Sequence, residues 1–419
     1  MSKDRLQDLK DAAAIAWRFT LPLIEIATTR SRGQMNGSQM NVFGHMRRLA
    51  DHRARAVTTP NNDTFYSTAQ VDLSQGPVNI SLPATGGRYL SLQLMDAYSN
   101  SFAILGTRTT GNKGGNFTLV GPNDAVEGGQ VLRCPTNHVW ALARILVDGP
   151  HDMEAAKSIQ QGISMQGPAV ETPGPFAHRG ADWREYFASA FQLLKLNPPL
   201  VTDRAEVALM ALLGLDDFRP DRFSPEEVAA IEAGVAEAKA ASKRGGLSGS
   251  GFIDGWSYPP GRLGDFGQDY AFRASVAVSG LAALPPVEAM YMRAKGDLPG
   301  ALFEGLRNWV LHFPADALPP VKSFWSLSLY EATPDGQFYF TDNPINRYAI
   351  GDRTEGLKYN ADGSLDIWIG HALPLGDRAA NWLPAPEGPF ALFMRAYLPK
   401  PELLDGGYRF PPVSLAQDD

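Results

Sequence analysis

Four residues of the N-terminal half carry side chains that could do acid–base chemistry together: Asp63, Tyr66, Asp96 and Arg144. A carboxylate takes a proton, a phenol gives one, and a guanidinium holds the negative charge that develops between them. The expected meeting place is one end of a strand sandwich, with Asp96 or Asp63 as the acid–base group, Tyr66 as proton donor and Arg144 as stabiliser. Arg144 carries the argument. Side chains alternate along His138 to Val147, so Arg144 points with Trp140, Leu142 and Leu146 toward an apolar face. A guanidinium placed there needs a carboxylate or carbonyl partner, or it lies at a pocket edge and grips an anion. A plain structural reading stands beside this one: a satisfied pair of Arg144 with Asp96 or Asp63, and an Asx turn at Asn61 to Asp63 following Pro60.

The C-terminal half adds cations and rings. Arg347 sits in a polar turn, and Arg395 shares a strand face with Phe393 and Tyr397. Trp325, Tyr330, Trp368 and Trp382 are flat surfaces of the kind that wall ring or sugar sites, although a sandwich core uses the same residues. Asp269, Tyr270 and Arg273 fall at helical spacing, which a surface ion pair would also explain. The expected substrate-binding set is Tyr98, Arg108, Tyr270, Trp325, Tyr330, Arg347 and Trp382.

Other chemistries lack their residues. No two of the seven histidines are separated by one or three residues, so no single strand or helix offers a paired-imidazole metal site, and no metal is expected. Gly111 to Gly115 lacks the hydroxyl and following helix of a phosphate loop and reads as a hairpin loop. Gly246-Leu247-Ser248-Gly249-Ser250 has the wrong spacing for a nucleophile elbow and reads as a mobile loop. The lone Cys134 excludes an intramolecular disulfide and is expected in the core. No cofactor is expected. A formal charge of -7, without charge runs, gives no footprint for nucleic acid or anionic lipid. The charged start, Met1 to Lys10, and the lack of any apolar run of about 18 residues give no signal peptide or membrane span. A cytoplasmic location is expected for the chain as given, and a periplasmic one if a leader was removed.

The elements that must position these residues follow from periodicity. Ile15, Phe19, Leu23 and Ile26 recur at helical spacing, with Pro22 expected to kink or break the helix. After Thr59-Pro60, alternation at Val78-Ile80-Leu82 and Leu90-Leu92-Leu94 marks strands, with more at 101–106, 116–120 and 138–147. Ser224-Pro225-Glu226-Glu227 is a capping box whose helix should stop at Gly245-Gly246, and a further helix is expected over 267–284. Strands resume after Pro319-Pro320, with turns at Asp335-Gly336 and Asp362-Gly363 and a closing strand from Phe390 to Tyr397. The expected division is a helical lead-in over 1–58, an antiparallel β-sandwich over 59–150, a largely helical connection over 151–318 and a jelly-roll-like β-sandwich over 319–419. The fold class is mainly β with helical segments.

Asn61-Asn62-Asp63-Thr64-Phe65-Tyr66-Ser67, Gly86-Gly87-Arg88-Tyr89, Gln93 to Tyr98, Gly106 to Gly111 and Arg144 to Val147 resemble the bacterial domain of unknown function numbered twelve fifty-four. Ser323 to Tyr330, Asn343 to Tyr348 and Asn381 to Pro386 resemble its usual companion, the domain numbered twelve fourteen. The resemblance covers nearly the whole chain and is weakest between about 168 and 262. It implies an immunoglobulin-like sandwich and a jelly-roll-like sandwich joined by a helical middle, and it implies no activity. Trp309 stands where the resemblance leads one to expect a tyrosine, with an expected effect on a pocket lining.

Two classes of function fit. The leading expectation is a cofactor-independent hydrolase or lyase acting on a small neutral or anionic molecule in a cleft between the β modules. The alternative is a non-catalytic binding protein for carbohydrate or a small metabolite. Exposed sandwich edges add a homo-oligomer as a further expectation.

Overall fold

A single helix of 33 residues, α1 (Lys3–Met35), opens the chain and runs through Pro22 without breaking. Proline removes one helical hydrogen bond and costs about 3 kcal/mol. Phe19 to Ile24, Pro22 included, are all buried, so the packing of this stretch outweighs that loss. The computed structural model describes residues 3–244, 252–296 and 301–417; the loop read at Gly246 to Ser250 lies outside them.

The first module is a sandwich. Strands β1 (Gly44–Met46), β2 (Thr64–Asp72), β3 (Val78–Leu82), β4 (Leu90–Asp96), β5 (Ser101–Gly106), β6 (Gly115–Val120), β7 (Val131–Arg133) and β8 (His138–Leu146) are followed by α2 (Met153–Gln161) and β9 (Ser164–Gln166). One sheet has the order β1-β2-β8-β4-β5, and the facing sheet β7-β6-β3-β9. The alternating residues Val78, Ile80, Leu90, Leu92, Leu94, Ala141, Ala143 and Ile145 fill the space between them. Cys134 is fully buried in that core, and burial pushes its thiol up to about 12, so it stays a neutral packing residue.

Helices α3 (Trp183–Leu196), α4 (Arg204–Leu209), α5 (Pro225–Arg244) and α6 (Tyr270–Ser279) pack with α1 into a second core. The capping box forms as read: the Ser224 amide donates to Glu227 Oε2 at 2.9 Å and the Glu227 amide to Ser224 Oγ at 3.3 Å. Gly234 of α5 is required by contact, because a Cβ there would stand 2.1 Å from the Lys10 carbonyl oxygen of α1.

The stretch between 252 and 313 is not a helical connection throughout. It contributes β10 (Phe252–Ile253), β11 (Trp256–Ser257), β12 (Ala289–Ala294), β13 (Phe303–Glu304) and β14 (Trp309–Phe313) to the second module. With β15 (Val321–Ala332), β16 (Phe338–Tyr339), β17 (Ala349–Gly351), β18 (Leu365–Gly370), β19 (Trp382–Pro384), β20 (Pro389–Pro399) and β21 (Val413–Leu415), these build an eight-stranded curled sheet over the four-stranded order β19-β18-β14-β21. The large sheet is buried on both faces. Met290, Met292, Trp325, Leu327, Leu392 and Met394 point into the sandwich, and the intervening residues point out of it toward the first module. That second face forms one side of the candidate site.

Candidate functional site at the junction of the two modules

On the outer face of the first module's sheet, register aligns Tyr66 of β2, Arg144 of β8 and Ser91 of β4 in one row. On the second module's outward face, Tyr291 of β12, Arg395 of β20 and Ser326 of β15 form a corresponding row. The surfaces are held together where the Asn61 amide reaches Tyr397 Oη at 2.7 Å, Ser326 Oγ donates to Asp63 Oδ2 at 2.6 Å and Tyr89 Oη donates to Glu288 Oε1 at 2.9 Å.

Arg144 is 5% exposed, and its partners are neutral. It donates to Gln93 Oε1 at 2.9 Å and to the Ala282 carbonyl at 2.8 Å, and its guanidinium lies 5.5 Å from the Tyr66 ring centre. The pairs expected with Asp96 or Asp63 do not form; Gln93, the next outward residue on β4 after Ser91, takes that place. Burial disfavours the charge, but the phenols of Tyr66, Tyr291, Tyr397 and Tyr89 outweigh it, so Arg144 is held above the ordinary arginine range. Arg395 donates to Ser328 Oγ and Tyr330 Oη, each at 2.7 Å. Burial also works against its charge, and Tyr330, Tyr397 and Asp63 raise its pKa despite it.

Of the four expected catalytic residues, Asp63, Tyr66 and Arg144 reach this junction. Asp96 does not. It is buried at the far end of β4, where Asn100 Nδ2 donates to Oδ2 and the amides of Tyr98 and Asn100 donate to Oδ1. Burial raises its pKa, with Asn100 and Arg273 pulling the other way.

The expected binding residues scatter. Tyr330 lies at the junction, its hydroxyl donating to the Pro60 carbonyl at 2.5 Å. Trp325 has the opposite parity on β15 and points into the sandwich interior, so the two cannot share one wall. Arg108 is tied to the buried Glu288 at 2.5 Å. Tyr98 donates to the Asn197 carbonyl at 2.7 Å and Tyr270 to Asp203 Oδ1 at 2.9 Å, both among the helices. Arg347 donates to the carbonyls of Ala380 and Trp382, and the Trp382 indole to the Gly370 carbonyl, which pins the β18–β19 end of the second module. Trp309 packs against Phe303 inside the sandwich and lines no opening at the junction. Arg273 forms no surface pair with Asp269: it is 1% exposed, its guanidinium 5.1–5.3 Å from the rings of Phe19, Tyr98 and Tyr270.

Sequence reasoning missed Tyr291, Arg293, Lys295, Asp352 and Arg353. The signal for the first three was present: Met290, Met292 and Ala294 alternate with Tyr291, Arg293 and Lys295, a strand rhythm inside a stretch read as helical. Arg353 reaches across the junction, 3.3 Å from Asp63 Oδ1 and 3.5 Å from Asp148 Oδ1, over the Phe324 ring at 4.2 Å. Its neighbour Asp352 is pushed up to about 6, by burial first; the Trp325 amide and Arg353 draw it down and Asp63 pushes it up again.

That shift has a sign. The folded chain keeps a proton on Asp352 between pH about 4 and about 6 that the unfolded chain has released, so this contribution to stability is complete below pH about 4 and is lost as pH rises through about 6. The side chain is 30% exposed, so the effect is discounted to on the order of 1 kcal/mol. Asp352→Asn is expected to stabilise the protein by that amount at pH 7.5 and to flatten the pH dependence between 4 and 6. Urea midpoints of both proteins across this range check it, and parallel curves would contradict it.

No group of three or more histidine, cysteine, aspartate or glutamate side chains among the described residues is arranged to hold a metal ion. An open surface depression of about 770 Å³ lies between Met46, Arg47 and Arg48 and the α2 residues Glu154, Lys157, Ser158 and Gln161. It contains no residue of the junction cluster.

Fold and junction together define a class: a two-module β protein, each module a sandwich, with a helical layer packed on them and a buried cationic, phenol-rich seam between the modules. Two family models match the chain as an N-terminal and C-terminal pair, "Protein of unknown function (DUF1254)" over residues 40–167 and "Protein of unknown function (DUF1214)" over residues 288–401. A crystal structure of a protein from Vibrio parahaemolyticus is similar at a TM-score of 0.74 and 24% identity, over 98% of this chain and 100% of that one, and shows the same fold. An uncharacterised protein from Burkholderia cenocepacia aligns over 99% of this chain and 96% of its own, at 13% identity and a TM-score of 0.45. No protein of curated function matches. Among the described residues no helix is long and apolar enough to cross a membrane.

Proposed function

We propose that the chain is a cofactor-independent lyase or hydrolase that takes a small anionic molecule at the junction of its two β modules. One observation carries this reading: Arg144, almost wholly buried, has neutral partners and lies against the half-buried phenol of Tyr66. The guanidinium stays charged among phenols and neutral acceptors with no carboxylate in contact, and a ligand carboxylate or a developing oxyanion would pair directly with that charge. Tyr66, Thr68 and Gln70, successive outward positions on β2, are each half-buried, so a ligand has a path to that charge. In the reaction, Arg144 stabilises negative charge, Tyr66 transfers the proton, and Asp63 positions the second module through Ser326 and Arg353.

A non-catalytic binding protein is the second reading. It is favoured by one fact: Asp63, the carboxylate at the seam, is already engaged by Ser326 and Arg353. A metabolite panel screened by thermal shift finds the ligand class without presuming the reaction. Tyr66→Phe and Arg144→Gln then separate the readings. For an enzyme, Tyr66→Phe lowers turnover by about 100-fold or more at near-normal ligand affinity, while Arg144→Gln weakens binding as well. Loss of binding in Arg144→Gln with no turnover in any variant selects the binding protein. Normal affinity and turnover in Arg144→Gln would remove the site.

A further inference from the structure

Resting on the reading of the junction as an anion site, we propose that its ligand is a small dianion. One acidic group would sit at Arg144 and Tyr66, and the second at the cations Arg293 and Lys295 at the C-terminal end of β12.

Tyr291 and Arg293 occupy successive outward positions on β12, about 7 Å apart, and Lys295 follows directly after the strand's last residue, Ala294. Tyr291 belongs to the buried seam, close enough to Arg144, Tyr66 and Arg395 for all of them to affect its phenol. Arg293 and Lys295 therefore lead away from the Arg144 end. Each rests on a ring, Arg293 at 4.6 Å from the centre of Phe393 and Lys295 at 5.3 Å from that of Phe338. Neither makes an ion pair among the described residues, and both are half-buried. Burial lowers the pKa of Arg293, and that of Lys295 is lowered by burial and then by Arg293.

Adjacent like charges, partly stripped of water and without an ion pair among the described residues, repel each other. An acidic group lying across them removes that repulsion. The Arg144 end offers a different environment. There, neutral hydrogen-bond acceptors use only part of the guanidinium's donor set and leave N–H groups for a ligand oxygen. Two cationic stations at one junction, Arg144 on the first module's side and Arg293 with Lys295 on the second module's side, match two acidic groups on one short molecule better than one. A ring does not add to this, since the rings at the outer station already lie beneath the cations.

The test is calorimetric titration of the whole chain with butyrate, succinate, glutarate and adipate. The proteins are the natural one, Arg144→Gln, and the double variant Arg293→Gln with Lys295→Gln. The expected result is that at least one diacid binds the natural protein about tenfold or more tightly than butyrate. The double variant should bring that diacid to the butyrate level while leaving butyrate unchanged, and Arg144→Gln should weaken all four. Butyrate bound as tightly as every diacid, with Arg144→Gln still abolishing it, overturns the dianion and leaves the anion site standing. A diacid advantage that survives the double variant also overturns the second station. Binding of none of the four acids to the natural protein, with its thermal transition intact, overturns this inference and the anion site together.

Discussion

Replacing Glu288 by alanine is expected to cost about 3–5 kcal/mol of stability, a larger loss than any surface change in this protein should produce. Glu288 is 1% exposed and lies just before β12 in the second module, yet both of its side-chain partners belong to the first. Tyr89 donates to one carboxylate oxygen at 2.9 Å and Arg108 to the other at 2.5 Å. Tyr89 itself is 1% exposed and packs edge-on against Phe324 and Tyr397. Alanine would leave the buried Tyr89 hydroxyl without an acceptor and the Arg108 guanidinium, whose side chain is 35% exposed, without its carboxylate. The expense lies in these abandoned groups more than in the lost attraction. Glu288→Gln, which keeps one oxygen, should lose less than half as much. Replacing all three residues together, with Glu288→Met, Arg108→Met and Tyr89→Phe, should cost less than Glu288→Ala alone. Urea denaturation of the four proteins measures this; a Glu288→Ala loss below about 1 kcal/mol would mean that water already enters the tie.

This tie also shows where sequence reasoning stopped. Alternation places Arg144 on the outer face of β8, and it lies there; the same rhythm puts Arg395 with Phe393 and Tyr397, as found. The capping box at Ser224 forms because its bonds are local. Pro22 misled because a local penalty of about 3 kcal/mol is smaller than the burial of the helix around it. Partners across the junction were harder to read. Asp63 and Arg353 are 290 positions apart, and Glu288 and Arg108 are 180 apart. No periodicity couples such residues. Arg108 looked available for a ligand because its local sequence contains no acid, and Asp96 looked reactive because nothing near it revealed that Asn100 would fold back on it. Strand β12 was missed for another reason: its alternation is only six residues long and is followed by glycine and proline. Such a short run does not by itself declare a strand.

Arg395→Met is the second large expectation, again about 3–5 kcal/mol. Methionine keeps most of the stem's packing but removes every donor. Arg395 is 3% exposed and serves Ser328 and Tyr330 of β15, together with the carbonyl of Thr59 at 3.2 Å. Thr59 has a positive φ of 51°, a conformation a β-branched residue avoids unless its surroundings hold it. The Tyr330 hydroxyl, which accepts from Arg395, donates in turn to Pro60. The guanidinium thus pins the segment from Thr58 to Asn62, which delivers Asn61 to Tyr397 and Asp63 to Ser326. Lysine should not restore the site, because one ammonium cannot reproduce the planar fork that spans a hydroxyl pair and a carbonyl. The variant should therefore unfold at lower urea and, while still folded, be cut by protease near Thr58 to Asn62, where the natural protein resists. An Arg395→Lys protein with natural stability and natural protease resistance would show that charge alone holds the segment, and the directional bonds would lose their role.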